Sequence, residues 1–192
     1  MSVEIEAKLK VDSLQQIESK LTKLSAEFLQ EQLHTDSYFD DASDTFKNSD
    51  RALRLRCLSV KGKEKIFLTY KGPKEKASLK ERQELEIEIN DVDSAEKLLS
   101  AIGFEKALVL QKKRQLWQLE QCKVSLDELP LLGTFVEIEG PDREKITAVQ
   151  RSLKLENLQH IPQSYASLIE QKLKRLGKTK QEQKSIRLGE GK

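Results

Sequence analysis

The sequence predicts an α+β fold: a closed, eight-stranded antiparallel β-barrel with a polar, charged interior and helices packed outside. Eight segments alternate charged with apolar residues, and this period of two indicates strands with two chemically different faces. Four other segments place apolar residues at helical spacing, so these amphipathic helices need an apolar surface to cover. Eight antiparallel strands can close around side chains or one small ligand.

The predicted elements follow one another along a single domain, residues 1–176. The strands are predicted at residues 3–10, 33–41, 52–60, 64–71, 82–89, 107–119, 122–128 and 134–139. The helices are predicted at residues 13–28, 93–102, 142–154 and 164–176, with Gly103 ending the second. We expect residues 72–80 to form a loop and the basic tail, residues 177–192, to be disordered.

Composition excludes several classes of protein. The 34 basic and 32 acidic residues give a net charge of only +2, whereas nucleic-acid-binding proteins usually carry a marked basic excess. Cys57 and Cys122 lack metal-binding spacing and indicate reduced thiols. The charged first residues do not form a signal peptide, and no apolar run is long enough to cross a membrane. We therefore expect a cytoplasmic protein that binds neither nucleic acid nor membrane.

The orientation of the charged strand faces decides the function. A charged face ordinarily points to water, but here E-x-E, R-x-R and K-x-R pairs recur and the helices would cover the apolar faces, so we expect the charges inside. Unpaired buried charge costs on the order of several kcal/mol per group. The charges therefore either neutralise one another or divide into a metal site and a phosphate site. The basic groups are Lys8, Arg54, Arg56, Lys71, Arg82, Lys112 and Arg114; the acidic groups are Glu4, Glu6, Glu84, Glu86, Asp127, Glu137 and Glu139.

A series of motifs then resembles a known family. Glu4-x-Glu6-x-Lys8 resembles the ExExK signature of the CYTH superfamily, the triphosphate tunnel metalloenzymes. Further motifs follow in the family's order across residues 3–176, and the class IV adenylyl cyclase-like branch is the most similar. The segments that carry this similarity are TYKGP at 69–73, SLDE at 125–128, LG-x-F-x-EIE at 132–139 and SY-x-x-L at 164–168.

The resemblance implies a tunnel that binds a triphosphate end-on together with Mg²⁺ or Mn²⁺. By position in the motifs, Glu4, Glu6 and Glu137 resemble metal ligands, and Glu139 and Asp127 are further candidates. Glu84 and Glu86 resemble a carboxylate pair for a second metal or a catalytic water, so the expected catalytic residues are Lys8, Glu84, Glu86 and Asp127. The expected phosphate-binding residues are Lys8, Arg54, Arg56, Lys71, Arg82, Lys112 and Arg114.

Two reactions fit such a site, and a third interpretation needs no reaction. The resemblance favours conversion of ATP to cyclic AMP and pyrophosphate. The full set of tunnel carboxylates favours a triphosphatase that hydrolyses inorganic triphosphate (tripolyphosphate), thiamine triphosphate or a nucleoside triphosphate. A non-catalytic polyphosphate-binding barrel is disfavoured, because carboxylates repel phosphate unless a metal intervenes. The family also allows a homodimer. We expect His34 and His160 to be surface or packing residues, and Tyr165 to order the last helix near the tunnel mouth.

Overall fold

The computed structural model describes residues 2–74, 80–177 and 185–188, with side chains for residues 5–73, 82–177 and 185–188. It has an α+β fold with a curled antiparallel sheet of eight strands, to which a two-residue ninth strand is added. The strands are β1 Ser2–Val11, β2 Glu27–Asp40, β3 Ala52–Val60, β4 Lys63–Lys74, β5 Lys80–Ile89, β6 Glu105–Leu119, β7 Cys122–Leu129, β8 Gly133–Glu139 and β9 Ser185–Ile186.

Five helices occur in the described part of the chain: α1 Leu14–Lys23, α2 Thr45–Asn48, α3 Val92–Ala101, α4 Arg143–Ser152 and α5 Tyr165–Arg175. The predicted first helix, residues 13–28, was too long. It is capped by Ser13 as expected, but it ends because Ser25 has a left-handed backbone, φ 57°, and Glu27 already begins β2. None of the helices in the described residues could cross a membrane.

The pairing of the strands brings the sheet back on itself. The order is β2-β3-β4-β5-β1-β8-β7-β6-β9, and β2 also pairs with β6. This last ladder is long, running from Glu27 opposite Gln118 to Asp40 opposite Glu105. Each of the strands β1 to β8 therefore has a hydrogen-bonded neighbour on both sides. In each of these strands, every second side chain points toward the concave surface of the curled sheet.

Apolar residues on the convex side of the sheet carry the main core. Helices α1 and α4 place Ile17, Leu21, Ile146 and Val149 in a buried cluster with residues of β1, β6, β7 and β8, including the fully buried Leu9. Helix α3 buries Leu99 against the outer side of β3 and β4. Burying apolar area at about 25 cal/mol per Å² stabilises this two-layer arrangement. Helices α1, α3 and α4 therefore lie on the apolar side of the sheet, as expected, and the charged faces point away from them.

Helix α5 packs differently. Its Ile169 and Leu173 contact Leu108 and Leu110, which share their strand parity with the charged residues further along β6. Phe135 belongs to the same cluster and shares its parity with Glu137. The inner face of the sheet is therefore apolar at one end, where α5 lies, and ionic beyond it.

Two predicted irregular regions lie partly outside the described residues. Of the predicted loop 72–80, residues 75–79 are not described, while β4 continues to Lys74 and β5 begins at Lys80. Of the predicted tail 177–192, only residues 177 and 185–188 are described. In that short stretch β9 pairs in parallel with Val109 and Leu110 of β6.

Candidate functional site

A cavity of about 750 Å³ lies within the curl of the sheet. Its wall brings together most of the residues that the sequence predicts as site residues. Residues of α2 and α5 also line it, including Phe46, Lys47 and Glu170, as does Ser164 just before α5. The predicted residues along its wall are Glu6, Lys8, Arg54, Arg56, Lys71, Arg82, Glu84, Glu86, Lys112, Arg114, Glu137 and Glu139.

Two predicted residues are not among those described along that wall. The side chain of Glu4 lies outside the described residues, although its backbone pairs with Arg82 on β5. Asp127 is fully buried behind the cavity surface. Its carboxylate accepts hydrogen bonds from Arg114 Nε and Nη2, both at 2.6 Å, and from Tyr165 Oη at 2.9 Å. Lys112 Nζ lies 3.2 Å from the same carboxylate. Asp127 therefore holds two of the predicted phosphate-binding cations in place.

The charges around Asp127 set the proton affinities of this cluster. Burial alone would raise the pKa of Asp127, but Arg114 and Lys112 outweigh burial and lower it, so the carboxylate stays ionised. Burial and the neighbouring Arg114 lower the pKa of Lys112 to about 8, although Asp127 and Glu137 act in the opposite direction. Lys112 is thus a cation that can lose its proton in mildly alkaline solution.

Carboxylates from β1 and β8 converge around one ammonium group. Lys8 Nζ lies 3.2 Å from Glu137 Oε1 and 3.9 Å from Glu6 Oε1. Glu6 pairs directly with Glu139 across the two strands, which places two like charges on the same face. Glu137 also accepts a hydrogen bond from Arg114. The carboxyl oxygens of Glu6, Glu137 and Glu139 thus form an acidic wall beside the cations.

Asp36, which was not predicted as a site residue, organises the arginines of β3. Arg56 donates to both of its oxygens, at 2.6 and 2.7 Å, while Arg54 lies 3.9 Å away. Burial alone would raise the pKa of Asp36, but Arg56 and Arg54 outweigh it and hold that pKa far below the usual range. Arg54 Nη2 also donates to Thr69 Oγ1 at 3.2 Å. Arg54 Nε is buried and has no hydrogen-bond partner within the described part of the chain.

The predicted residues of β4 and β5 divide into two groups. Glu84 pairs with Lys71, and Glu86 accepts a hydrogen bond from Thr69 at 2.8 Å. Arg82 donates instead to backbone carbonyls of Asp50, Lys71 and Gly72. Its guanidinium therefore braces the backbone between β4 and the segment after α2.

His34 is a packing residue, which is one of the two roles expected from the sequence. It is only 3% exposed and sits on β2 opposite Lys112, with the parity of Asp36. That shared parity is the signal in the sequence that indicates an inward side chain. Its Nε2 donates to Gln32 Oε1 at 2.6 Å. Burial, followed by Arg56, Lys112 and Arg114, holds the pKa of the imidazole far below its usual range, so the ring is neutral.

The acidic wall has the chemistry of a site for a hard divalent cation. Among the described side chains, no group of three His, Cys, Asp or Glu residues is close enough to hold a metal ion. Mg²⁺ at phosphate-processing sites is commonly held by one or two carboxylates together with phosphate oxygens. Glu6 and Glu137 converge on the Lys8 ammonium, and Glu6 lies directly opposite Glu139 across the two strands. These carboxylates fit such an ion.

The sequence and the fold are similar to those of known proteins. The CYTH domain model matches residues 2–165. A Methanocaldococcus jannaschii protein, named as a proposed adenylate cyclase, is 32% identical over 137 residues, 71% of this chain and 76% of its own. Adenylate cyclase CyaB of Aeromonas hydrophila is 26% identical over 180 residues, 88% of this chain and 90% of its own. The PH1819 protein of Pyrococcus horikoshii OT3 has a similar fold, with a TM-score of 0.77 and 32% identity over 88% of this chain and 99% of its own. The chain therefore belongs to the CYTH domain family.

Proposed function

We propose that this protein is a divalent-metal-dependent enzyme that binds the triphosphate group of a small molecule inside the curled sheet. In this proposal the ring of strand pairs from β1 to β8 acts as a closed tunnel. The observation that carries it is the set of buried cations along the cavity wall, one of which, Arg54, has a buried Nε without a partner among the described residues. An unmet buried donor is costly, and phosphate oxygens are acceptors that would satisfy it.

The acidic wall distinguishes this site from a simple polyanion-binding site. Glu6, Glu137 and Glu139 would repel a triphosphate directly, so their place beside the cations favours a metal-bound ligand. By resemblance, Glu4 joins this ligand set. When bound, Mg²⁺ or Mn²⁺ supplies charge neutralisation on the phosphate oxygens and on the leaving group. We assign Asp127 to positioning Arg114 and Lys112, and Arg82 to bracing the backbone, in place of the metal and phosphate contacts expected from the motifs.

The protein's own residues act by position and charge. Phosphoryl transfer needs the reacting oxygens held in line and the growing negative charge stabilised. Arg54 and Arg56 on β3 and Arg114 on β6 offer planar donors that suit bidentate contact with phosphate oxygens. Lys8, Lys71 and Lys112 act as point charges. Asp36 and Asp127 hold these groups in place before the ligand arrives, which lowers the ordering cost of binding.

We infer that the reaction is cyclase-like. The Methanocaldococcus jannaschii and Aeromonas hydrophila relatives both carry an adenylate cyclase name. A cavity of about 750 Å³ is in the size range of pockets for drug-sized ligands, so it leaves room for a nucleoside beyond the triphosphate. In this reaction the ribose 3′-oxygen bonds to the α-phosphorus of ATP, the bond from that phosphorus to the bridging oxygen breaks, and pyrophosphate leaves. The hydroxyl proton passes to solvent or to a lumen carboxylate.

A triphosphatase is the second candidate, favoured by Glu84 and Glu86. Both carboxylates line the cavity from β5, the strand next to β1, and Glu86 is close to half exposed, at 46% of its side chain. They could orient a water molecule toward a terminal phosphorus. In that reaction the water oxygen bonds to the terminal phosphorus, the bond from that phosphorus to the bridging oxygen breaks, and orthophosphate and the diphosphate product are released.

One incubation separates these candidates. The purified protein is given ATP, tripolyphosphate and thiamine triphosphate in parallel, with Mg²⁺ or Mn²⁺, and the products are separated by chromatography. We expect cyclic AMP and pyrophosphate from ATP; orthophosphate from any substrate would assign a triphosphatase. Glu137→Gln is the matched control, because it keeps the shape of the side chain and removes its charge. We expect it to fold and to lose turnover, and unchanged turnover would refute the ligand assignment.

A further inference from the structure

Tyr165 is the first residue of α5 and reaches from that helix into the ionic part of the lumen. It is 7% exposed, and its ring meets Phe135 edge-on, with centroids 5.2 Å apart. Its hydroxyl donates to Asp127 Oδ2 at 2.9 Å. Burial and the nearby Asp127 and Glu137 raise the pKa of this hydroxyl well above its usual value, so it remains a donor.

The ring faces two of the lysines on the cavity wall. Lys8 Nζ lies 4.1 Å from the ring centroid and Lys112 Nζ lies 5.0 Å from it. These lysines come from β1 and β6, which are separated in the sheet by β8 and β7. The residue two before the tyrosine completes the contact, because Gln163 O accepts a hydrogen bond from Lys8 Nζ at 3.0 Å.

An aromatic face attracts an ammonium group without neutralising it. Each lysine also has a carboxylate neighbour at 3.2 Å, Glu137 for Lys8 and Asp127 for Lys112. The ring adds a stabilising contact that leaves the net charge of the ammonium group unchanged. Both lysines are almost fully buried, at 3% and 4% exposure, so their positions depend strongly on such contacts. We propose that Tyr165 is a positioning residue that holds the ammonium groups of Lys8 and Lys112 toward the bound triphosphate. This inference rests on the proposed function for its ligand, but its geometry can be tested without one.

The first test uses the free protein. In the wild type, NMR spectra of the lysine side chains should show upfield ring-current shifts at the Hε and Hζ protons of Lys8 and Lys112. These shifts should disappear in Tyr165→Leu and persist in Tyr165→Phe, which keeps the ring and removes the hydroxyl. Ordinary chemical shifts for both lysines in the wild type would overturn the proposal, even if the protein binds no triphosphate at all.

The second test measures affinity for tripolyphosphate with Mg²⁺ by calorimetry. Tyr165→Leu should raise Kd by about tenfold, the size expected for a buried cation–π contact, and Tyr165→Phe should stay within about threefold of wild type. Ile169→Val is the matched control, because it removes one methylene from the same buried cluster without touching either lysine. It should lower Tm and leave Kd unchanged. If Tyr165→Leu likewise lowers only Tm, the tyrosine is merely structural and the proposal fails.

Discussion

The pH dependence of triphosphate binding follows from Lys112. Its pKa is about 8, below its ordinary value of 10.5, because burial and Arg114 disfavour the charged form. A triphosphate binds the protonated form better. As pH rises through 8, more of the free protein carries a neutral Lys112 and must take up a proton to bind. The apparent affinity should therefore fall, by about tenfold between pH 7 and pH 9 for one linked group.

The sign for folding is the opposite. Because the native pKa is depressed, the unfolded chain holds more protons than the native protein between pH 8 and 10.5, so this group's contribution to stability improves as pH rises through that window. Weaker binding together with an unchanged or improved Tm is therefore expected from Lys112. A general alkaline loss of structure would weaken binding and lower Tm together.

Lys112→Arg provides the control. Arginine keeps its charge throughout this range, so the variant should lack the step in affinity near pH 8. Tripolyphosphate with Mg²⁺ is titrated into both proteins by calorimetry at values from pH 7 to pH 9.5. Changes in the protonation of the ligand and the metal affect both proteins equally, so they cancel when the two affinities are compared at each pH. In two buffers of different ionisation heat, the wild type should also show net proton uptake at pH 8.5. If both proteins follow one pH profile, the reasoning about Lys112 is refuted.

Two further predictions concern the framework around the lumen. Asp36→Asn removes the buried charge that pairs with two arginines, so the variant should lose on the order of 3–5 kcal/mol in urea denaturation; a change below 1 kcal/mol would mean that these cations need no partner. Gly140→Ala would bring a Cβ to 2.7 Å from Cys122 Sγ and 2.9 Å from Ile146 Cγ1, where α4 meets the sheet. The free energy of unfolding should fall by about 1–3 kcal/mol without a change in Kd. A stability equal to that of the wild type would show that the neighbouring atoms can move to accommodate the added methyl group.

The alternation of residues predicted much of the site because a strand fixes which side chains share a face. Once the eight strands pair in a curl, residues of one parity must meet, and Glu6, Arg54 and Glu137 do line one cavity. The same rule applied to β2 would have placed His34 inside with Asp36. The sequence leaves a surface or a packing role open for this histidine, and its strand parity decides in favour of packing.

Other features depend on contacts that a single segment does not encode. Helix α2 has only four residues, and the Asp40 carboxylate stabilises its start by accepting from the amides of Phe46 and Lys47, both at 2.9 Å. The position of α5 on the inner face depends on the apolar residues at one end of β6. In the sequence these residues look like part of an ordinary buried strand, so they do not indicate which helix covers them. The pairing of Asp127 with Arg114 and Tyr165 joins three separate elements, so only the folded structure shows that this carboxylate is already engaged.

The central claim is that the inward cations and carboxylates together hold one metal-bound triphosphate. Calorimetric titration of the wild-type protein with tripolyphosphate, with and without Mg²⁺, tests it most directly, and Arg54→Ala serves as the comparison. The expected result is one binding site per chain that requires the metal and is weakened at least tenfold in the variant. Absence of binding at saturating metal, or equal affinity in both proteins, would mean that the lumen charges serve only one another.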